Sequence, residues 1–269
     1  MTVDRKNFEV KMRIIDADRS YIYAVLRGIF QQLKCNPKIA EVGVLKGKNA
    51  TVMHDALKPQ QMVLIDSWSN DSVGRYRSIN SHRPWVADPS KFEFYYGGSI
   101  DEQSTYDSIF EEAKSNLAGT SNVEFLKSNS LDAVKILEQR KQDKFEFIYL
   151  DASHQYEEVL DDLMNYRKLL HDQLGCFQLN DCCHSAAGVN QNFGVLEAAQ
   201  KFCKLSNFEP ALIVNRDFTD VLLAPINSPM IKNINVMLDF NNISYVEIPS
   251  ALFPNLSVNT GKRANLSFV

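Results

Sequence analysis

The feature that most constrains the fold is a recurring pattern: a short apolar run ends in an acid or amide, and a helix-length amphipathic segment follows. The run Lys38–Val42 leads into Glu41-Val42-Gly43, and the run at 61–65 stops at Asp66. Runs at 123–126, 145–150 and 176–179 are followed by Asn129-Ser130, Asp151 and Asn180-Asp181. Between them, Val52, Met53, Ala56 and Leu57 keep helical spacing up to Pro59, and 131–139 and 194–204 read as helices. Residues 157–170 carry Val159, Leu160, Leu163, Met164 and Leu170 on one side of a strong amphipathic helix. Strands joined by helices favour right-handed crossovers and a parallel sheet with helices on both faces. Segments 211–214 and 221–224 flank NRDFTD and read as an antiparallel hairpin. The pattern therefore predicts an α/β sandwich with a mostly parallel sheet and a terminal antiparallel hairpin.

The flanks are less regular. Residues 20–34 form an apolar-faced helix that Asn36-Pro37 ends. Residues 67–100 read as irregular, 101–117 as a helix, and 226–269 resist assignment. One domain over 1–225, with an N-terminal helical cover and an accessory extension over 226–269, is the expected organisation. The formal charge of -4 gives no general attraction for nucleic acid or an anionic membrane. No apolar run is long enough to span a bilayer, and the first twenty residues lack the apolar core of an export signal. Five cysteines do not suggest a disulfide framework, so a reducing cytoplasm is expected. A homodimer is left open.

In open α/β sheets, ligands sit outside the carboxyl ends of the strands, where every polar signature above falls. The first such turn reads EVGVLKGKNA over 41–50. Gly43 and Gly47 permit a tight turn and a close backbone approach. Their G-x-x-x-G spacing differs from the G-x-G-x-x-G that cradles a dinucleotide pyrophosphate. Asp66 is placed to accept hydrogen bonds from both hydroxyls of a ribose, and Asn129-Ser130 to face an adenine. Each feature taken singly also fits an ordinary turn glycine or a solvated loop acid. Together they point to a nucleoside-type cofactor without a pyrophosphate.

EVGVLKGKNA followed by MVLIDSW resembles the first two motifs of class I S-adenosylmethionine-dependent methyltransferases. FEFIYLDASHQYEEVLDDL resembles the D-x-x-H-x-Y-E-x-V-x-x-D-L segment of the group that includes macrocin and related sugar O-methyltransferases. The resemblance covers about residues 38–224. It implies the Rossmann-like, seven-stranded sheet of that class, S-adenosylmethionine as cofactor, and a pocket lined by Glu41, Gly43, Asp66 and Ser130. It also implies O-methylation of a small hydroxylated acceptor, for which sugar, natural product and phosphorylated metabolite all stay open.

Methyl transfer from a sulfonium is an in-line displacement, so the acceptor must be placed near the methyl group and lose its proton. Asp151, Asn180 and Asp181 offer hard oxygen ligands at adjacent strand ends, a set that suits Mg²⁺. A bound divalent ion would lower the acceptor pKa. Asn180 stands where the sugar enzymes more often have an acid, so a metal-free site binding the acceptor directly remains an alternative. His154, three residues past Asp151, is placed to act as the base. Helix capping, plain exposure and acceptor binding are its other readings, and Tyr156 reads as packing or acceptor positioning. Cys182-Cys183-His184 lacks the C-x-x-C spacing of a zinc site and reads as a loop. Arg75, Tyr76, Arg77, His82, Arg83 and Trp85 make either a lid or a surface loop. An NAD-dependent oxidoreductase and a non-catalytic binding module on a methyltransferase scaffold are the competing functions. The absence of [DN]-P-P-[YF] and Pro-Cys signatures argues against a nucleic-acid substrate.

Overall fold

The computed structural model describes residues 11–216, 218–260 and 265–268. In chain order the elements begin with β1 (Lys11–Ile15), α1 (Ser20–Gln32), β2 (Lys38–Val42), α2 (Lys48–Leu57) and β3 (Gln61–Asp66). Three short helices follow, α3 (Asn70–Asn80), α4 (Pro84–Ala87) and α5 (Pro89–Tyr96), and then α6 (Gln103–Asn116). The second half runs through β4 (Val123–Lys127), α7 (Ser130–Gln139), β5 (Phe147–Leu150), α8 (Tyr156–Tyr166) and β6 (Cys176–Leu179). It continues with α9 (Ala186–Gln191), α10 (Val195–Leu205), β7 (Phe208–Val214), β8 (Asp220–Pro225) and α11 (Pro229–Phe240). The described chain ends with β9 (Tyr245–Pro249), β10 (Ser257–Asn259) and β11 (Asn265–Ser267).

The main sheet has the order β4-β3-β2-β5-β6-β8-β7-β1-β9. Strands β4, β3, β2, β5 and β6 pair in parallel, and β8 pairs antiparallel with both β6 and β7. The chain runs outward from β2 to β4, then returns to place β5 on the other side of β2. The crevice between β2 and β5 is therefore the topological switch point, where ligands of such sheets bind.

Side chains alternate across the sheet as strand periodicity requires. Met62, Leu64, Phe147 and Tyr149 enter a core shared with α1, α2, α6 and α11. Val63, Ile65, Ile148 and Leu150 enter a second core shared with α7, α8 and α10. The alternation and mostly parallel pairing agree with the expected sandwich, and β7 and β8 form the expected hairpin.

The sheet has nine strands rather than seven. β1 adds in parallel beside β7, and β9 adds antiparallel beside β1. The first was missed because KMRII is short and charged at alternate positions. Its Lys11 and Arg13 reach Glu247 of β9 at 3.2 Å each, so charge pairing across the strands stands in for apolar content. β9 and α11 both come from 226–269, so that segment continues the same sheet and packs α11 on α1. The thioether of Met237 fills the space over Gly28 there, with Sδ 2.4 Å from where a Cβ would stand.

Residues 67–100 are helical, not irregular. Ser69 caps α3 by accepting from the Asp71 N–H, and Asp88 caps α5 by accepting from the Ser90 N–H. Pro84 and Pro89 occupy first-turn positions, where a missing N–H costs nothing. The helices enclose a small core of Val73, Val86, Phe92, Ile100 and Tyr106. No helix among the described residues is long and apolar enough to cross a membrane.

Candidate active site

The switch point is built by backbone first. Gly43, just past β2, has φ +89°, and a Cβ there would lie 2.1 Å from the Asp151 carbonyl oxygen. The Asp151 N–H donates to the Val42 carbonyl at 2.8 Å. The glycine thus lets the ends of β2 and β5 touch; the space it frees is filled by chain, not ligand. Gly47 starts α2 at φ +72°, with the Ala113 Cα of α6 3.2 Å from its missing Cβ. Its need is likewise left-handed backbone and close helix packing.

Asp66 ends β3 and braces the same turn. Its Oδ2 accepts from the Val44 and Leu45 N–H groups at 2.9 and 2.8 Å, and its Oδ1 accepts from the Trp68 N–H at 3.0 Å. A carboxylate offers about four acceptor positions. Three are taken by the backbone, which leaves Asp66 about one free acceptor position. Trp68 locks the turn from outside, donating from Nε1 to the Leu45 carbonyl at 2.9 Å.

Glu41 points inward from β2 and is 1% exposed. Asn49 of α2 donates to its Oε1 at 2.8 Å and accepts from the Tyr23 hydroxyl at 2.8 Å. Its Oε2 is buried and meets no hydrogen-bond partner among the described residues. Burial pushes the Glu41 carboxyl up to about 8, against the opposing pull of the Asn49 hydrogen bond.

Asp151, Asn180 and Asp181 do converge, at the ends of β5 and β6. Asn180 donates from Nδ2 to Asp151 Oδ1 at 2.8 Å. His154 Nε2 lies 3.3 Å from Asp151 Oδ1 and 3.5 Å from Asp181 Oδ2, near enough for an ion pair but not aligned for a hydrogen bond. Its ring stacks on Phe193 at 4.5 Å and 21°. Burial disfavours its charged form, but Asp151 and Asp181 outweigh that and raise its pKa. Burial lifts Asp181 to about 6, opposed by His154.

Two further groups at this edge escaped the sequence reading. Arg19, between β1 and α1, donates from Nη1 to the Tyr149 hydroxyl at 2.7 Å. The same nitrogen is 3.8 Å from Asp151 Oδ2, and Nε is 3.9 Å from Asp220 Oδ1. Burial alone would lower the Arg19 pKa, but Asp220, Tyr149 and Asp151 reverse that and hold it above its ordinary range. Asp220 opens β8. That strand runs against its neighbours, so its beginning lies where theirs end. Burial pushes Asp220 up to about 7, opposed by Arg19 and by the 2.7 Å hydrogen bond from Gln178.

This environment does not suit the expected divalent ion. Asp151 Oδ1 takes an amide N–H and faces an imidazole, and its Oδ2 faces a guanidinium. Asn180 turns its amide N–H, not its oxygen, toward Asp151. Among the described residues no group of three or more His, Cys, Asp or Glu side chains has a metal-holding arrangement. The donor set that the sequence offered for Mg²⁺ is instead matched to an amide, an imidazole and a guanidinium of the protein.

Ser130 begins α7 with its side chain beside Asp162 of α8, and its carbonyl accepts from the Tyr166 hydroxyl at 2.8 Å. Asn129 caps α7 by accepting from the Asp132 N–H at 2.9 Å. Asp162 lines a small cavity with Leu150, His154, Asn180 and Val195. Tyr156 is partly buried and packs against the core on that face. Cys182 and Cys183 are buried free thiols, and His184 lies 3.0 Å from Glu197.

The α3–α5 segment roofs the site. The Tyr76 hydroxyl donates to the Gln191 carbonyl at 2.7 Å, and Asn192 donates from Nδ2 to Asn80 at 3.1 Å and to Gln155 at 3.2 Å. Gln155 adjoins His154, and Phe193 stacks on it, so the roof is tied to the His154 loop. Of the basic-aromatic stretch, Tyr76 and Trp85 face the roof's own core, while Arg75 reaches Glu158 at 3.2 Å on the surface.

The strand order, the switch-point turn and the acids at its edge define the Rossmann-like methyltransferase class of α/β proteins. Residues 40–182 match the methyltransferase domain family, more than half of the chain, and the protein belongs to that family. No curated protein matches it in sequence. Among solved structures, the O-methyltransferase NovP shares 15% identity over 77% of this chain and 79% of its own, with a TM-score of 0.50. An O-methyltransferase from Bacillus cereus in complex with SAH aligns at 12% identity over 78% of this chain and 83% of that one, TM-score 0.48. TomG from Streptomyces achromogenes, in complex with SAM, aligns at 12% identity over 78% and 91%, TM-score 0.46.

Proposed function

We propose that the protein is an S-adenosylmethionine-dependent O-methyltransferase acting on a small hydroxylated acceptor. Family membership supports methyl transfer, and one observation supports the cofactor: the unpartnered, buried Glu41 Oε2 at the switch point. Buried polar atoms without partners are rare and call for a ligand or water. A buried carboxylate oxygen fits the ammonium group of a sulfonium amino acid. The wider edge agrees in charge, since Asp66, Asp151 and Asp181 outnumber Arg19. Asp66 would take one ribose hydroxyl, and the 128–130 turn with Ser130 would border the adenine. Gly43 and Gly47 shape the pocket by letting its walls meet. Residues 1–225 would carry this machinery, with 226–269 bracing its far sheet edge.

The bound cofactor would supply an electrophilic methyl group. In its neutral form His154 would accept the acceptor's proton at Nε2, and Asp151 and Asp181 would favour the imidazolium that results. Its stack on Phe193 fixes the ring, and the α3–α5 roof is tied to the loop that carries it.

Isothermal titration of the wild type with S-adenosylhomocysteine, and incubation of a panel of sugars, phenols and hydroxy acids with S-adenosylmethionine, test this reading. Binding and a methylated product are expected. A His154→Gln variant should bind S-adenosylhomocysteine normally and transfer methyl groups about 100- to 1,000-fold more slowly. Tight NADH binding without S-adenosylhomocysteine binding would refute the proposal, and cofactor binding without any product would favour a non-catalytic module.

A further inference from the structure

The acceptor side of the site contains a cation that no motif announces. Arg19 stands at the mouth of the crevice because β1 lies parallel to β7, so the carboxyl end of β1 opens on the same edge as those of β2, β5 and β6. Its side chain is 27% exposed, and Asp151 and Asp220 flank it on two sides. The Tyr149 hydroxyl accepts from Nη1 and fixes the guanidinium plane, and Nη2 donates to no acceptor among the described residues. Tyr95 of α5 lies within electrostatic reach of Arg19, Asp151 and Asp181.

A guanidinium stays protonated at every working pH and presents several N–H donors in one plane. A dication at Asp151 would sit within a few ångströms of it in a half-buried setting, where like charges repel strongly. The same guanidinium has what a divalent ion would bring: fixed positive charge beside the acceptor oxygen and directed donors to hold it.

We propose that Arg19 is the resident cation of the acceptor site, a catalytic residue that binds the acceptor oxygen and makes a divalent ion unnecessary. In the transfer step the acceptor O–H gives its proton to His154. The oxygen lone pair forms the new C–O bond as the C–S bond breaks, and that electron pair returns to sulfur. Arg19 gains and loses no proton; it donates hydrogen bonds to the oxygen as negative charge develops there. The catalytic half of this inference rests on the proposed O-methyl transfer, whereas the exclusion of the metal does not.

The test separates the two. Electron paramagnetic resonance titration with Mn²⁺, with and without S-adenosylhomocysteine, should show no bound ion on the wild type at millimolar metal. Arg19→Gln should gain a bound Mn²⁺, because Asp151 loses its cationic neighbour. With an acceptor that the panel identifies, Arg19→Gln should lower kcat about 100-fold. Arg19→Lys should restore part of it, and S-adenosylhomocysteine affinity should stay within about threefold for both. Stoichiometric Mn²⁺ on the wild type, or activity lost to EDTA and restored by Mg²⁺, overturns the inference. So does an Arg19→Gln variant that transfers methyl groups at the wild-type rate. If no acceptor is methylated, the functional proposal fails alone, and the Mn²⁺ titration still decides whether Arg19 displaces a metal.

Discussion

A buried acid at the base of the His154 cavity gives the sharpest test of the electrostatics. Asp162 lies on the inner face of α8, 4% exposed, with its Oδ1 unpartnered and Ser130 beside it. Burial raises its pKa from 3.8 to about 7, against the opposing pull of Ser130. The folded state therefore holds a proton that the unfolded chain has lost, and stability falls as pH climbs between those values. At about 1.4 kcal/mol for each tenfold change in proton affinity, the gap amounts to about 4 kcal/mol once pH exceeds 7. Asp162→Asn keeps the shape and Ser130 beside it but has no proton to lose. Near pH 4 the variant should match the wild type. Its advantage should grow up to about pH 7 and level off above it. For a chain of this size that corresponds to a melting temperature about 10 °C higher at pH 8. Thermal and urea melts of both proteins at half-unit pH steps from 4 to 8.5 provide the comparison. Stability curves that run parallel over that range would refute the assignment of a neutral Asp162 to the folded state.

Other changes probe the crevice itself. Gly43→Ala forces a Cβ to 2.1 Å from the Asp151 carbonyl at φ +89°. It should cost more than about 3 kcal/mol in urea titrations and abolish S-adenosylhomocysteine binding. Glu41, held near 8 by burial, is mostly protonated at pH 7 and should ionise when an ammonium group reaches it. Calorimetry in buffers of differing ionisation enthalpy should then show a proton released on S-adenosylhomocysteine binding, fading above pH 8 and absent in Glu41→Gln. Asn80→Ala removes the link from α3 to Asn192. Amide exchange should quicken across α3 to α5, and KM for the acceptor should rise more than kcat falls.

What could be read from the sequence followed the strength of each local signal. The strands β3 and β5 are largely continuous apolar runs that both faces of the sheet bury, β2 and β6 are interrupted only by Glu41 and Gln178, and the polar residues that stop them mark one edge. Glu41, Gly43, Asp66 and Asp151 were found that way. The chemistry of those residues was less legible than their position, because a neighbour decides it. Asp66 has the place of a ribose acceptor, yet three backbone N–H groups already take most of its capacity. Ser130 has the place of an adenine contact, yet its side chain lies beside Asp162, thirty-two residues on in the chain. Asn180 and Asp181 look like metal ligands until Arg19 and His154 are set beside Asp151. Arg19 and Asp220 were invisible for a topological reason. Each reaches the ligand edge only through a strand whose direction or existence depends on pairing: β8 because it runs against its neighbours, β1 because its charged residues find Glu247 on β9. A motif search along the carboxyl ends of parallel strands inspects neither the start of a reversed strand nor the end of an unrecognised one. The acids at the carboxyl ends of the parallel strands can thus be read one strand at a time, while Arg19 and Asp220 become evident only once the outer strands have paired.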